Sequence, residues 1–584
     1  MAESIYRKSS LAMIPYGSLE GELPSIRPQD GSGDFTFSRG TDTATRVNSS
    51  GLIEKERSNQ LLQSNTFSTT WTTNNASVTS GQSGYDGSSD AWLLTATSTS
   101  NCRVNQTIGG SGVQSISVYA KANTSNFLAI NAIVSGTNTI AYFDLSSGAV
   151  GTTGGAPIDA DIESVGGGWY RCSLVYNDIN TQMRLLITDA DGSGAVTNGN
   201  SIYIQDAQLE QGLVATDYIE TTTSAVYEGI TDNLPRLDYS GGASCPSLLL
   251  EPQRRNLIDQ SEYFGAWTIA SGIILTHNHA ISPEGVQNAT LLARTTSGNI
   301  QQSKSVTSGT TYAISVFAKA GTSSIVNVIA TGTLTESVTE FDLSDQSITT
   351  TTGSVVDSDI EDYGNGWYRC WVIQTAASTG SGQVRINTGD NVNILLYGAQ
   401  LEDDGAGGDA NYISSYIPCN GTSASRAADS VINSSASSLI GQTEGTILFD
   451  WNYLSNDGDF DFRFNLSDGA GTTEWMFVGM TNADARAYIT SGGSLQFDSE
   501  DEYAITIGNR YKMALAYANN DFAFYINGTQ VATSSSGSVP NGMDYIVMSN
   551  RPNSSGSLVK ASVNQALLFK TRLTNAELAA LTTL

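Results

Sequence analysis

The sequence predicts an all-β, multidomain chain built on two tandem jelly-roll β-sandwiches. Three observations carry this. Apolar and polar residues alternate with a period of two, turn residues punctuate the runs, and a whole domain occurs twice. In Ser115-Ile116-Ser117-Val118-Tyr119-Ala120-Lys121, the residues Ile116, Val118 and Ala120 form an apolar face. Ser115, Ser117, Tyr119 and Lys121 form the other face, which is free for water or a ligand. Charged residues are only 15% of the 584, and Gly, Ser, Thr and Asn are abundant. That composition suits short strands and many turns.

The duplication is long. Gly166-Gly167-Gly168-Trp169-Tyr170-Arg171-Cys172 returns as Gly364-Asn365-Gly366-Trp367-Tyr368-Arg369-Cys370, 198 residues later. Tyr119-Ala120-Lys121 returns as Phe317-Ala318-Lys319, and Asp217-Tyr218-Ile219 as Ser415-Tyr416-Ile417. Ala207-Gln208-Leu209-Glu210 returns as Ala399-Gln400-Leu401-Glu402, 192 residues on. Gly51-Leu52-Ile53-Glu54 matches Leu248-Leu249-Leu250-Glu251, so the connector belongs to the repeat. These matches divide the chain into an N-terminal segment (1–45), a first jelly roll (46–225), a connector with the second jelly roll (226–429) and an unlike C-terminal domain (430–584). The N-terminal segment is too short for a core of its own. It is expected to be extended, ordered by packing on itself, on neighbouring chains or on a partner. At the other end, Thr574 and Glu577 form a capping box that predicts a short terminal helix, and Asn527-Gly528 is a hairpin turn.

Charge excludes some functions. The net charge is −29, and clustered Lys and Arg are lacking, so nucleic-acid and anionic-membrane partners are not expected. Residues 1–60 differ: seven Lys and Arg stand against eight Asp and Glu. No stretch reaches the roughly 18 apolar residues of a membrane span, so no membrane insertion is expected. The N-terminus has no apolar core of signal-peptide length, so synthesis in a cytoplasm is expected. Five cysteines without CxxC spacing are read as small buried residues.

Two stretches resemble known families. Asp34-Phe35-Thr36-Phe37-Ser38-Arg39-Gly40, running on to Gly51-Leu52-Ile53-Glu54, resembles a segment recurrent in tailed-bacteriophage structural proteins. Its usual continuation resembles Pro235-Arg236-Leu237-Asp238-Tyr239 and Leu249-Leu250-Glu251-Pro252-Gln253-Arg254-Arg255-Asn256, so its two halves are split between the copies. In that family it precedes a jelly roll similar to carbohydrate-binding modules. Residues 511–517, 524–528 and 567–578 are similar to concanavalin A/laminin G-like domains. The resemblances imply a head or tail fibre or spike of the virion, a homotrimer, held to other virion proteins by its N-terminal segment and recognising host cell-surface glycans.

Sugar-binding sandwiches stack aromatic rings on pyranose faces and bracket the hydroxyls with polar groups. Tyr119, Lys121, Phe317 and Lys319 lie on the non-core face of corresponding strands and are the carbohydrate-binding candidates. Trp169, Trp367, Trp71 and Trp267 are read as buried scaffold. His277 and His279 are two ligands at most, short of a metal site. Asp457-Gly458-Asp459-Phe460-Asp461 and Asp189-Ala190-Asp191-Gly192 are read as solvated acidic turns. No cofactor is expected, Ca2+ being the one ion these carboxylates could take. With two neighbouring histidines, a Ser-His-Asp triad has almost no candidates. The chain is therefore expected not to be an enzyme. Two alternatives are a purely structural virion protein and a glycan depolymerase in residues 430–584, since glycosidases need only two carboxylates.

Overall fold

Alternation builds the first module. The structure, a computed structural model, describes residues 5–584 apart from 457, 459–460, 470, 500–502, 553–555 and 557–558. Two six-stranded antiparallel sheets face each other, one centred on Val113–Ala122 and the other on Phe127–Val134 and Asn180–Thr188. Ile116, Val118 and Ala120 are fully buried with Cys172 and Leu174 in the core between them. The second module repeats this on Thr311–Ala320, where Ile314, Val316 and Ala318 meet Cys370 and Val372. Trp71 and Trp267 seal corresponding core edges, their indoles donating to Gln63 O and Gln260 O. The fold is all-β and multidomain, as the sequence predicts.

The C-terminal sandwich draws strands from three parts of the chain. Leu11–Met13 and Ser247–Leu250 both pair with Val559–Phe569 in one sheet. Phe35–Ser38 pairs with Ser430–Asn433 in the other. Leu11, Met13, Phe35, Phe37, Leu248 and Leu250 are all buried in this core. The segment expected to serve attachment is thus, in residues 11–38, part of the C-terminal sandwich. Its physical reason is the sheet edge: Phe35 and Phe37 alternate inward and the strand satisfies backbone groups that an open edge would leave unpaired. The terminal helix Asn575–Thr582 carries the capping box, with Thr574 accepting from the Glu577 amide. Asn527 and Gly528 have φ of 46° and 86°, the left-handed pair a tight hairpin turn requires. Cys102, Cys172, Cys370 and Cys419 are buried, whereas Cys245 is exposed, contrary to expectation.

The first module is an insertion. Arg57–Asn59 pairs antiparallel with Val226–Glu228, so entry and exit run side by side. A Cβ on Gly229 would lie 2.3 Å from Lys55 O, so the two ends touch. Outside this loop-out, the segments around Val47 and Asp238, split in sequence by the first module, rejoin. Val47 N donates to Asp238 Oδ1 at 2.8 Å, and Tyr239 N donates to Val47 O at 2.9 Å.

Five charged side chains meet where these segments rejoin. Arg236 donates to Glu251 Oε2 at 2.6 Å and also pairs with Asp429. Arg426 reaches Glu251 Oε2 at 2.9 Å, and Arg39 reaches Asp429 Oδ1 at 3.4 Å. All five side chains have no exposure. Burial opposes the charge of Glu251, yet Arg426 and Arg236 hold its carboxyl well below the usual range.

Two outcomes follow from this architecture. Deleting 57–228 and joining Glu56 to Gly229 leaves the remaining sandwiches folded, with a single cooperative urea transition and β-type circular dichroism. An aggregated or molten product would contradict the insertion. Glu251→Gln or Asp429→Asn strands buried arginine charge and costs about 3–5 kcal/mol in denaturant unfolding. A loss under about 1 kcal/mol would mean the network is not structural.

Candidate functional site

Both modules carry an aromatic cluster on the outer face of the sheet, away from the core, and the two clusters have different fates. Strand pairing fixes the correspondence. Tyr119 lies opposite Gln205 in the first module, and Phe317 lies opposite Tyr397 in the second. Trp169 corresponds to Trp367 and Tyr218 to Tyr416. The eight-residue loops 83–90 and 281–288 also correspond, with Gly87 and Gly285 both left-handed at φ 87° and 82°. Asp86 thereby matches Glu284, Tyr85 matches Pro283, and Asn65 matches Glu262.

In the second module the face is sealed. Phe317 has no exposure and packs against Tyr363, Tyr397 and Tyr416, with ring centroids 4.8, 5.8 and 5.8 Å away. Ile53, from the segment preceding the first module, closes the cluster. Two residues on, Lys55 places its ammonium 2.7 Å from Glu262 and 2.8 Å from Glu284. Burial opposes that charge, but the two carboxylates outweigh it and hold the ammonium above the usual lysine range. Phe317 is therefore corrected: its ring has no face open to a sugar. The sequence placed it rightly on the non-core face, but that face is covered by residues more than 260 positions earlier. Lys319 donates to Asn365 O at 2.7 Å and braces the Gly-Asn-Gly-Trp turn.

In the first module the corresponding face is open at its rim. Tyr119 is itself 8% exposed, beneath Tyr85, whose ring stacks on it at 3.9 Å and 6°. Arg171 sits 5.4 Å from the Tyr119 centroid. The rings that reach solvent are Tyr85, Tyr203 and Tyr218, all half-buried and gathered on Tyr119 and Trp169. Lys121 lies along the glycine turn, 3.5 Å from where a Cβ of Gly168 would sit. Of the residues singled out from sequence, Tyr119 and Lys121 thus lie at this face, while Tyr85 provides its outer ring.

Around Tyr85 stand Asp86, Asp90 and Asp206. The Tyr85 hydroxyl donates to Asp206 Oδ2 at 3.0 Å. Gln205 Nε2 donates to Asp90 Oδ1 at 3.0 Å and Asp86 Oδ1 at 3.3 Å. Among the described residues none of these three carboxylates has an ion-pair partner. Asp206 has φ 52° at a bulge where the second module places Gly398, φ 55°. At Gly398 a Cβ would lie 3.0 Å from both Phe317 and Tyr416, so the second module has no room for a side chain there. Burial, then repulsion from Asp90 and Asp86, raises the Asp206 carboxyl to about 7, against the Tyr85 and Tyr218 hydrogen bonds. Hydrogen bonds from Ser88 hold Asp86 below the usual range. Sequence reading missed Tyr85 and Asp206. The signal was the mismatch between copies, Tyr85 against Pro283 and Asp206 against Gly398.

The remaining candidates are accounted for locally. Trp169 and Trp367 are buried, at 3% and 2% exposure. His277 packs 4.8 Å from Tyr263, and burial lowers its pKa. Asn278, left-handed at φ 49°, bulges the strand between the two histidines. Asp189 accepts from Thr197 N, and Asp191 from Thr152 N of the Ala149–Gly154 strand. Asp457 and Asp459 lie outside the described residues, and among the described residues no group of three metal-ligating side chains forms. In the C-terminal sandwich the buried Asp450 is fully engaged by Arg510, Asn564 and Gln565. A cavity of about 730 Å3 lies where the rejoined segments meet both sandwiches. Its Arg46 is paired with Glu54, and its Asp238 accepts from Val47 N and Ser240 N.

No protein-family model matches the chain, and no curated protein does. Among the solved structures it is similar to are carbohydrate-binding modules and sialidases. A Ruminococcus gnavus IT-sialidase CBM40 bound to alpha2,3 sialyllactose is 16% identical, covering 25% of this chain and 84% of that one at TM-score 0.21. A Trypanosoma rangeli sialidase is 10% identical over 94% of this chain and 97% of that one, also at 0.21. A second Trypanosoma rangeli structure, a covalent intermediate with 2,3-difluorosialic acid, spans 98% of both chains at 10% identity and 0.21. The expectation that the chain is not an enzyme is withdrawn on this finding, because sialidases align over nearly its whole length. At these scores the likeness assigns no residue, reaction or substrate.

The carboxyl of Asp206 gives a pH dependence. Its folded pKa of about 7 exceeds the ordinary 3.8, so the folded state holds its proton more tightly. The stability it contributes is complete below about pH 4 and is lost as pH rises through about 7, by on the order of 2–4 kcal/mol. Asp206→Asn removes that loss, and the thermal midpoint of the first module at pH 8 rises above that of the parent. An unchanged midpoint at pH 8 would refute the buried-acid assignment.

Proposed function

We propose that the chain is a structural protein of a tailed-bacteriophage virion, a head or tail fibre or spike, that presents its first module to host cell-surface glycans. The phage-like segment in 34–54 and 235–256 supports the virion setting and, through it, a homotrimer. One observation carries the glycan reading: of two duplicated aromatic faces, one is sealed by Ile53 and Lys55, while the other leaves Tyr85 and Tyr203 half-exposed beside hydrogen-bonding carboxylates. Half-exposed rings offer an apolar surface to the C–H face of a pyranose, and Asp86 and Asp90 can bracket its hydroxyls. Display in several copies on one particle then raises apparent affinity by about 10²–10⁴ without new contacts.

A second reading has its own support. A carboxyl raised to about 7, Asp206, stands near one held low, Asp86, an inequality of the kind an acid–base pair needs.

Glycan-array binding of the full chain, followed by calorimetry on the best ligand, tests the first reading. Tyr85→Ala and Tyr203→Ala each weaken binding about tenfold, or about 1.4 kcal/mol, and Lys319→Ala leaves it unchanged. Absence of any glycan bound, with host-cell adsorption intact in both tyrosine variants, would refute it. Release of oligosaccharides from host polysaccharide, lost in Asp206→Asn, would establish hydrolysis, and intact polymer would exclude it.

A further inference from the structure

The two copies of the outer face act as an internal experiment, because one of them already has an occupant. In the second module that occupant is Ile53 with Lys55, an apolar group on the rings and a primary ammonium between Glu262 and Glu284. The loop residue that takes the ammonium, Glu284, corresponds to Asp86 of the first module. There the chain supplies no cation. Asp86, Asp90 and Asp206 have no ion-pair partner among the described residues, although all three lie around one aromatic ring.

Asp206 sharpens the point. A residue other than glycine at φ 52° is strained, and its counterpart is Gly398. Packing does not demand the side chain, since the second module does without it. Asp206 is buried to 6% exposure beside the exposed Asp86 and Asp90, so its charged form is unfavourable until a positive charge arrives. Trp169 adds a donor. Its counterpart Trp367 gives its indole N–H to Ile281 O at 3.0 Å, whereas Trp169, 3% exposed, has no acceptor among the described residues. A sugar hydroxyl fits that N–H, and a sugar ring fits Tyr85.

We propose that the first module selects glycans bearing a free primary ammonium, a non-acetylated hexosamine unit, whose nitrogen sits against Asp206 and Asp86 while its ring lies on Tyr85. This rests on the glycan reading above and names its ligand class. The ammonium replaces in the first module what Lys55 provides in the second. Carboxylate-bearing sugars are rejected by the same three acids.

Isothermal titration of the full chain against glucosamine oligomers, N-acetylglucosamine oligomers of equal length and sialyllactose tests this. The free-amine oligomer is expected to bind at least tenfold more tightly than the acetylated one, and sialyllactose not at all. Asp206→Gly, which installs the residue of the second module, abolishes the preference, and Asp206→Asn reduces it. Both variants are first checked for an unchanged near-ultraviolet spectrum. The groups facing Asp206 are Tyr85, Asp86 and Asp90 from the loop and Tyr218 from the tail. Affinity for the amine falls as pH drops through about 7 and Asp206 takes up a proton. Equal or tighter binding of the acetylated oligomer would overturn the inference while sparing the glycan reading. A preference that persists in both variants would trace it to the net charge of −29 and overturn it as well. Binding of no sugar would remove both.

Discussion

The buried cluster of Arg236, Glu251, Asp429, Arg426 and Arg39 is the constraint on which the assembly depends. The members come from four stretches of chain, Arg426 and Asp429 sharing one, and none has solvent to fall back on. A buried charge is tolerated only when paired and hydrogen-bonded, so the four stretches must arrive together. Arg39 follows the Phe35–Ser38 strand, Glu251 follows Ser247–Leu250, and Asp429 precedes Ser430–Asn433. All three strands belong to the C-terminal sandwich. Satisfying the cluster therefore sets the N-terminal strand, the connector and the second module in register with the last domain.

The same wiring explains why duplicated faces diverged. The strand preceding each module crosses to a later one: Ile53 seals the second module, and Leu250 enters the C-terminal core. No counterpart of these strands reaches the first module, which closes its own face with Tyr85 from loop 83–90. A face closed from within by a half-buried tyrosine can be addressed by a ligand. A face closed by a strand tied through Lys55 to two buried glutamates cannot.

Much of this was legible in the sequence, and the limits have physical causes. Period-two alternation named the cores, because Ile116, Val118 and Ala120 and their copies depend only on local strand geometry. The capping box and the Asn-Gly turn were legible for the same reason. The non-core face was not, since its exposure is decided by segments hundreds of residues away. Phe317 and Tyr119 look alike in sequence and both are buried, one under Ile53 and the other under Tyr85. The destination of residues 11–38 was hidden likewise: their alternation announces a strand, not its partner. What sequence did offer was contrast between copies, and Asp206 against Gly398 is visible there once the bulge is known.

That contrast bears on why the first module is inserted and not strung in line. Asp206 combines a left-handed backbone, which costs on the order of 1–3 kcal/mol, with a poorly solvated carboxylate. Placed in the second module, such a residue would weaken the domain that shares the buried arginine cluster with the C-terminal sandwich. Placed between Glu56 and Gly229, whose backbones touch, it weakens only a unit that can loosen without parting the strands on either side. The second module then keeps glycine at the bulge and a sealed face, and serves as support. The first keeps the strained acid and the open ring. Duplication supplied two copies of one scaffold, and the insertion separates the copy that carries local strain from the copy that holds the chain together.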